Sequence, residues 1–466
     1  MRIFTPANVL LIASLFGCAK IETAQVMTKS SQVSIDTNRV KSNALATAKK
    51  YYVDPASTAT TSNGTLAYPF KTISQVNNTA LYAGDSVFFK RGLTFTGRLY
   101  ISKSGTVDNP IVFTNYGTSS SLPIFDNAIS NVVTIANAKY VELNGIKIID
   151  NTMSFTDHSI QAKISYAIIL NNSSYCTISN CDISLVGVGI ELAPNSNFNI
   201  IKKNSITNLR MVKNTPTTIN ANDDFGANGI VVESSNNIIT GNRFEDCWAN
   251  SYDYLFDGGA IELYGTAISN NRIAYNAVLN SCGFVEVGSS TNGICDNTVV
   301  AYNKIINSAG TGTFQTSGTF AVKISGFQYY NNNFIETVKQ FTKPSFLFYS
   351  SLKTPPAGLV VLKNNLFWLS SGVNIFPSYF NNASVDHSNN IFRLGVGITG
   401  ITLNTSELLS NSLNLFTNTS GSPSNWDYTL LSGSPLINFG INVGFGNDYN
   451  GNPIISSPDA GILEKN

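Results

Sequence analysis

The sequence predicts an all-β solenoid, and three observations predict it. A β-rich unit repeats from about 130 to 395, with equivalent apolar positions at Ile168, Ile190, Ile230, Ile261, Val285, Val322 and Leu347. Their spacings of 22, 40, 31, 24, 37 and 25 residues reduce to a base period of 22–25 with three insertions. A recurring period of this size is the signature of a solenoid. Each unit holds short apolar runs and no amphipathic helix, so the stacked elements are strands. An asparagine returns at the second turn of successive units, at Asn180, Asn204, Asn242 and Asn276. There it suits a left-handed corner or an internal amide ladder.

Taken from the N-terminus, the first element is a targeting segment. Arg2 precedes the apolar run Val9–Leu15, which is too short to span a bilayer, and Leu15-Phe16-Gly17-Cys18 follows. This resembles a bacterial lipoprotein signal, which implies lipidation of Cys18, export and anchoring to the cell envelope. The alternative is an ordinary signal peptide. Residues 19–48 are rich in Ser, Thr, Ala, Lys and Gln and read as a flexible tether. One domain is expected over 49–466, with order beginning near Tyr51-Tyr52-Val53. No other stretch is apolar enough to cross a membrane, so only the lipid would touch one.

Composition narrows the function. At 466 residues the length prior is about three domains, but one continuous repeat overrides it. The 29 Lys+Arg against 28 Asp+Glu leave no basic excess for a phosphate backbone, so nucleic acid is excluded as a partner. Only His158 and His387 are present, so no multi-histidine metal site exists. Cys176, Cys181, Cys247, Cys282 and Cys295 contain no C-x-x-C pair and read as buried small hydrophobes. A monomer is expected.

Three separated motifs carry a resemblance. They are Tyr51-Tyr52-Val53 with Asn63-Gly64-Thr65, Pro69-Phe70-Lys71-Thr72-Ile73 and Gly84-Asp85-Ser86-Val87-Phe88-Phe89; Ser104-Gly105-Thr106 with Asn109-Pro110-Ile111; and Ser432-Gly433-Ser434-Pro435-Leu436-Ile437 with Asp448-Tyr449-Asn450-Gly451-Asn452-Pro453 and Asp459-Ala460-Gly461. The chain resembles the right-handed parallel β-helix (pectin-lyase-like) proteins among exported bacterial carbohydrate-active enzymes. The resemblance implies that fold with a short N-terminal helical cap, and a polysaccharide or oligosaccharide substrate. It does not choose a reaction, because one scaffold hosts many.

The repeat register itself locates a candidate site. Strands alternate faces, so the residue after each inward anchor faces outward. These residues form a column: Ile169, Glu191, Val231, Glu262, Glu286, Lys323. Adjacent coils lie about 4.8 Å apart, which sets Glu262 beside Glu286. Glu233 projects from the same face. Two carboxyls at about 5 Å match a retaining glycosidase, one nucleophile and one acid/base. The plain alternative is a solvated face whose glutamates pair with Lys323.

Insertions at 209–226, 246–257 and 307–318 precede anchor strands and are expected to wall one side of this column. The second carries Trp248, Tyr252 and Tyr254, whose faces suit sugar rings. The first carries Asp223-Asp224, candidate Ca²⁺ ligands. Asp257, before Gly258-Gly259, sits at the edge as a third acid. Ordinary polar loops are the alternative for all of these. Three functions therefore stand open. Glycoside hydrolysis would use Glu262 and Glu286 with Asp257 or Glu233 assisting. Ca²⁺-assisted β-elimination would use Lys323 as base. A non-catalytic glycan-binding solenoid is the third. The Lys-bearing pattern of the chondroitinase B–alginate lyase family is absent after Glu262.

Overall fold

Short β-branched runs cannot bury both faces alone, so each pairs in register with the run one coil on. The computed structural model describes residues 47–126, 130–339, 341, 345–395, 397–412, 414–455 and 457–465. The expected signal, the Cys18 lipidation site and all but the last two residues of the tether lie outside them.

The described chain is a right-handed parallel β-helix of three sheets. Sheet 1 has 12 strands, from Lys50–Val53 to Val385–Ser388; sheet 2 has nine, from Leu99–Ile101 to Phe348–Ser350; sheet 3 has 12, from Thr94–Phe95 to Leu408–Leu409. Every pairing within them is parallel, as in Ile168↔Ile190, Ile190↔Ile230 and Ile230↔Ile261. Each coil contributes fully buried Ile, Leu, Val and Phe to one continuous core. At the N-terminal end the helix Ile73–Asn77 closes that core with Ile73 and Val76. Its start is fixed by a capping box between Thr72 and Gln75. No helix among the described residues is long and apolar enough to cross a membrane.

The asparagines divide between two roles. Asn204, Asn242, Asn276, Asn303, Asn332, Asn365 and Asn390 are buried and form an internal ladder. Each side-chain oxygen accepts the backbone N–H one coil before it, and each side-chain amide donates to the next asparagine. Glu407 ends the ladder, accepting from Asn390 Nδ2 at 2.8 Å and meeting buried His387 at 2.7 Å. His387 is thus structural. Asn180 differs from its expected equivalents: it is exposed, at φ 53°, and Cys181 takes the ladder position. The five described cysteines are free; four are buried, and Cys282 is partly exposed.

The register corrects two expectations. The column runs Ile169↔Glu191, Glu191↔Val231, Val231↔Glu262 and Glu262↔Glu286, as anticipated. Beyond Glu286 it continues to Thr313 and then Tyr349, not to Lys323. Lys323 instead pairs with Ile294 in a separate two-stranded corner, and its side chain is exposed. Segment 307–318 is correspondingly no insertion, since Gly312–Phe314 is the next strand of sheet 2. Gly312 hides it from a pattern search because a glycine occupies the anchor position. A Cβ there would approach the Phe348 ring to 2.8 Å and the Tyr329 hydroxyl to 2.9 Å, so any larger residue would have to displace these side chains.

Candidate active site on sheet 2

The acidic column is built by a local doubling of inward residues. In the coils that carry the column two consecutive positions face the core, as at Gly229-Ile230 and Ala260-Ile261. A Cβ on Gly229 would meet the Phe244 ring at 2.7 Å, which places that glycine against the core. Asn228 and Val231 are therefore both turned away from the core, and Asn228 reaches the next coil.

Asn228 Nδ2 donates to Glu262 Oε2 at 2.6 Å, and Gln315 Nε2 donates to Glu286 Oε1 at 3.0 Å. Each glutamate is thus held by one amide, and both are half-buried. Burial pushes Glu262 well above the ordinary carboxylate range, and repulsion from Glu286, Asp257 and Glu233 adds to it. Burial also raises Glu286, but the Gln315 hydrogen bond opposes that rise. Asp257 is pushed up to about 7 by burial, with Glu286, Asp224 and Asp253 contributing. Glu191 is likewise pushed up to about 7 by burial and Glu233, and burial alone raises Glu233. Among the described residues no lysine or arginine contributes to the electrostatics of these five carboxyls, so none of them supplies the cation of a salt-bridged face.

These shifts carry a stability prediction. The folded pKa of Glu191 and Asp257 lies above the unfolded value of about 4, so between about 4 and about 7 the folded chain holds more protons than the unfolded one. Stability then falls as pH rises through this window. Denaturant midpoints are expected to be higher at pH 5 than at pH 8. The double substitution Glu191→Gln/Asp257→Asn should flatten that slope; an unchanged slope would mean that these carboxyls are ionised in the folded chain.

The two true insertions are β-hairpins. Met211–Lys213 pairs antiparallel with Phe225–Gly226, and Ala249–Ser251 with Leu255–Asp257. The second runs directly into the strand Gly259–Tyr264, which sets Asp257 at the edge of the column. Aspartates tie the hairpins together. Asp224 Oδ2 accepts from Ser251 Oγ at 2.7 Å and Asp253 N at 3.0 Å, while Asp253 Oδ2 accepts from Asp223 N at 3.0 Å. One oxygen from each of Asp223, Asp224 and Asp253 lies within 4.8 Å of the others. Lys213 pairs with Asp223 Oδ2 at 2.7 Å, yet Asp223 Oδ1 and Asp253 Oδ1 are buried without a hydrogen-bond partner. An all-oxygen set with two orphaned carboxylate oxygens suits a hard cation such as Ca²⁺.

The aromatic residues of the second hairpin separate. Tyr252 and Tyr254 are exposed near its tip, 60% and 40% respectively. Trp248 is only partly exposed, and one of its faces is taken by another ring. The His158 ring lies flat on it at 3.9 Å, and Phe256 and Phe341 pack edge-on at 5.8 and 5.4 Å. His158 Nδ1 also bonds the Trp248 carbonyl at 3.0 Å, so the 151–164 loop is clamped onto the hairpin. Sequence reasoning missed Asn228, Gln315, Asp253 and Tyr166. Tyr166 precedes the column on the coil of Ile169, and Glu191, Glu233 and Glu262 all act on its hydroxyl. The register that aligned the glutamates also aligns Asn228; Gln315 needed the strand concealed at Gly312.

No protein-family model matches the sequence, and no curated protein matches it. Among solved structures the chain is similar to pectate lyase Pel9A, with 15% identity over 91% of this chain and 98% of that one, at a TM-score of 0.53. It is also similar to XylC in its complex with xylose, with 11% identity over 89% and 99% of the two chains and a TM-score of 0.48. The GH136 lacto-N-biosidase from Eubacterium ramulus matches with 12% identity over 78% and 67%, at a TM-score of 0.39. At such identities the likeness is one of fold.

Proposed function

We propose that this chain is a carbohydrate-active enzyme that cleaves glycosidic bonds on the outer face of sheet 2, by hydrolysis at Glu262 and Glu286. The observation that carries this reading is the direct register pairing of two half-buried glutamates, on neither of which a described lysine or arginine acts. Strand spacing of about 4.8 Å sets the pair near the separation of retaining enzymes. Their environments divide the roles. Glu262, with the greater repulsion from neighbouring carboxyls, holds a proton and is the acid/base; Glu286, steadied by Gln315, is the nucleophile. Tyr252 and Tyr254 supply exposed rings beside the column, and Glu191 and Glu233 accept sugar hydroxyls along it. Product mass tests the reaction. Incubation with a polysaccharide panel should yield products heavier by one water per cleavage; unsaturated products without added water would replace hydrolysis by elimination.

Metal-assisted elimination is the second reading, and the aspartate cluster favours it. Asp223, Asp224 and Asp253 would hold a Ca²⁺ ion, which when bound neutralises a substrate carboxylate. The corner position of Lys323 leaves that reading without its expected base. Ca²⁺ binding at about 100 times its Kd would stabilise the fold by about 2.7 kcal/mol. A rise in thermal midpoint with millimolar CaCl2, lost in Asp253→Asn, is expected; no rise would leave the cluster as a tie between hairpins.

A further inference from the structure

A second concave site lies on the outer face of sheet 3, a different sheet from the glutamate pair. Lys304 stands in a row with Arg243 and Ala277, which pair through consecutive coils. The C-terminal segment packs over this face through Leu415, Phe416, Tyr428, Leu430 and Leu436. Between them is a partly open cavity of about 180 Å³, lined by Lys304, Trp426, Asp427, Tyr428, Tyr449 and Asn450 among others.

Its chemistry is that of a small acidic polyol site. The Lys304 ammonium lies 5.3 Å from the Tyr428 ring centre and 5.8 Å from that of Tyr449. It makes no ion pair or hydrogen bond with the described residues, so its charge is met only by ring faces. Burial and the positive charge of Arg243 both pull it below the usual lysine range, as expected of a cation short of an anion. Trp426 is braced by Trp368 at 4.6 Å and by its Nε1 donating to the Gly421 carbonyl at 3.1 Å. Asp427 is exposed at the rim, its carboxylate held by Thr429, whose N–H donates to Oδ1 at 3.0 Å, and its outer side open to a hydroxyl. A drug-sized ligand needs about 300 Å³ or more, whereas a cavity of about 180 Å³ suits a single sugar ring. One ammonium beside a carboxylate disfavours a dianion such as phosphate.

We propose that this cavity binds one uronic acid residue of a polysaccharide, its carboxylate on Lys304 and its hydroxyls on Asp427 and Asn450. It would anchor a chain away from the site of cleavage. The choice of a sugar rests on the carbohydrate reading above; the anion site does not.

The test is ligand-observed NMR titration of residues 19–466 with galacturonic acid, galactose and acetate. Galacturonic acid is expected to bind at least tenfold more tightly than either control. Lys304→Gln should weaken it at least tenfold, and Lys304→Arg should recover most of the loss. Equal affinity for galactose, for acetate, or in Lys304→Gln would overturn the proposal. If Lys304→Gln fails to fold, Asp427→Ala at the exposed rim gives the same decision, with a loss of threefold or more expected and no loss overturning it. Binding without any polysaccharide cleavage would sink the catalytic reading alone. Cleavage without uronate binding would sink this one alone.

Discussion

Glu262→Gln lowers turnover by about 10²–10⁴-fold, the usual loss for a general acid, and the loss shrinks on substrates whose leaving group needs no proton. This expectation follows from the amide held at Oε2, the burial of the carboxyl and the three neighbouring carboxyls that act on it. Glu286→Gln should abolish turnover on good and poor leaving groups alike, because bond formation to the sugar is lost in either case. The first-formed product should keep its anomeric configuration, readable by NMR before mutarotation. The sign of the pH dependence also follows. Glu262 must keep its proton, so activity falls on the alkaline side as that proton is lost, and Glu262→Gln removes this limb. Equal losses for both variants on every leaving group would refute the division of roles. Inverted product would refute the nucleophile.

The second large effect is on stability. Asn303 is buried and sits mid-ladder, accepting from Asn276 N at 2.9 Å and Asn276 Nδ2 at 3.0 Å. It donates to the Ile273 carbonyl at 3.0 Å and to Asn332 Oδ1 at 2.9 Å. Asn303→Ala removes these side-chain hydrogen bonds at once and opens a cavity in the ladder. Buried groups left unpaired cost about 1–3 kcal/mol each, so a loss of about 4 kcal/mol or complete failure to fold is expected. Asn180→Ala should cost only about 1–2 kcal/mol, the penalty of a left-handed corner without asparagine. Urea denaturation of the two variants checks the contrast, and similar losses would mean that the ladder relaxes around the gap.

The contrast between these two asparagines also shows what a pattern in sequence can resolve. Asn180 and Asn204 follow apolar runs in the same way, yet one lies outside and one inside. The residue before each ladder asparagine takes the left-handed turn, so a shift of one position exchanges corner for core. Cys181, small and apolar, fills the inner place on its coil and disguises the shift. The hidden strand at Gly312–Phe314 is the same kind of case. A glycine anchor carries no apolar signal, so the sequence pattern leads on to Lys323 where the column in fact continues to Thr313.

Trp248 shows a different limit. Exposure of an aromatic face depends on what the rest of the chain lays upon it. His158 is 90 residues away in sequence and covers that face. Asp253 shows the converse. Nothing near it in sequence marks it, but the pairing of two hairpins brings it to Asp223 and Asp224.

Period and alternation were enough to establish a β-solenoid, the inward anchors as far as Val285 and the pairing of Glu262 with Glu286, while the resemblance implied that the solenoid is a right-handed parallel β-helix. All of these follow from local rules, the two-residue alternation of strands and the addition of one coil to the next, which a linear pattern records directly. The amides that hold the glutamates, the burial that shifts their protons, the aspartate cluster and the Lys304 cavity were settled only by tertiary structure. They arise where hairpins, loops and the C-terminal segment fold back across the sheets. Such contacts depend on three-dimensional closure, and no period in the sequence encodes it.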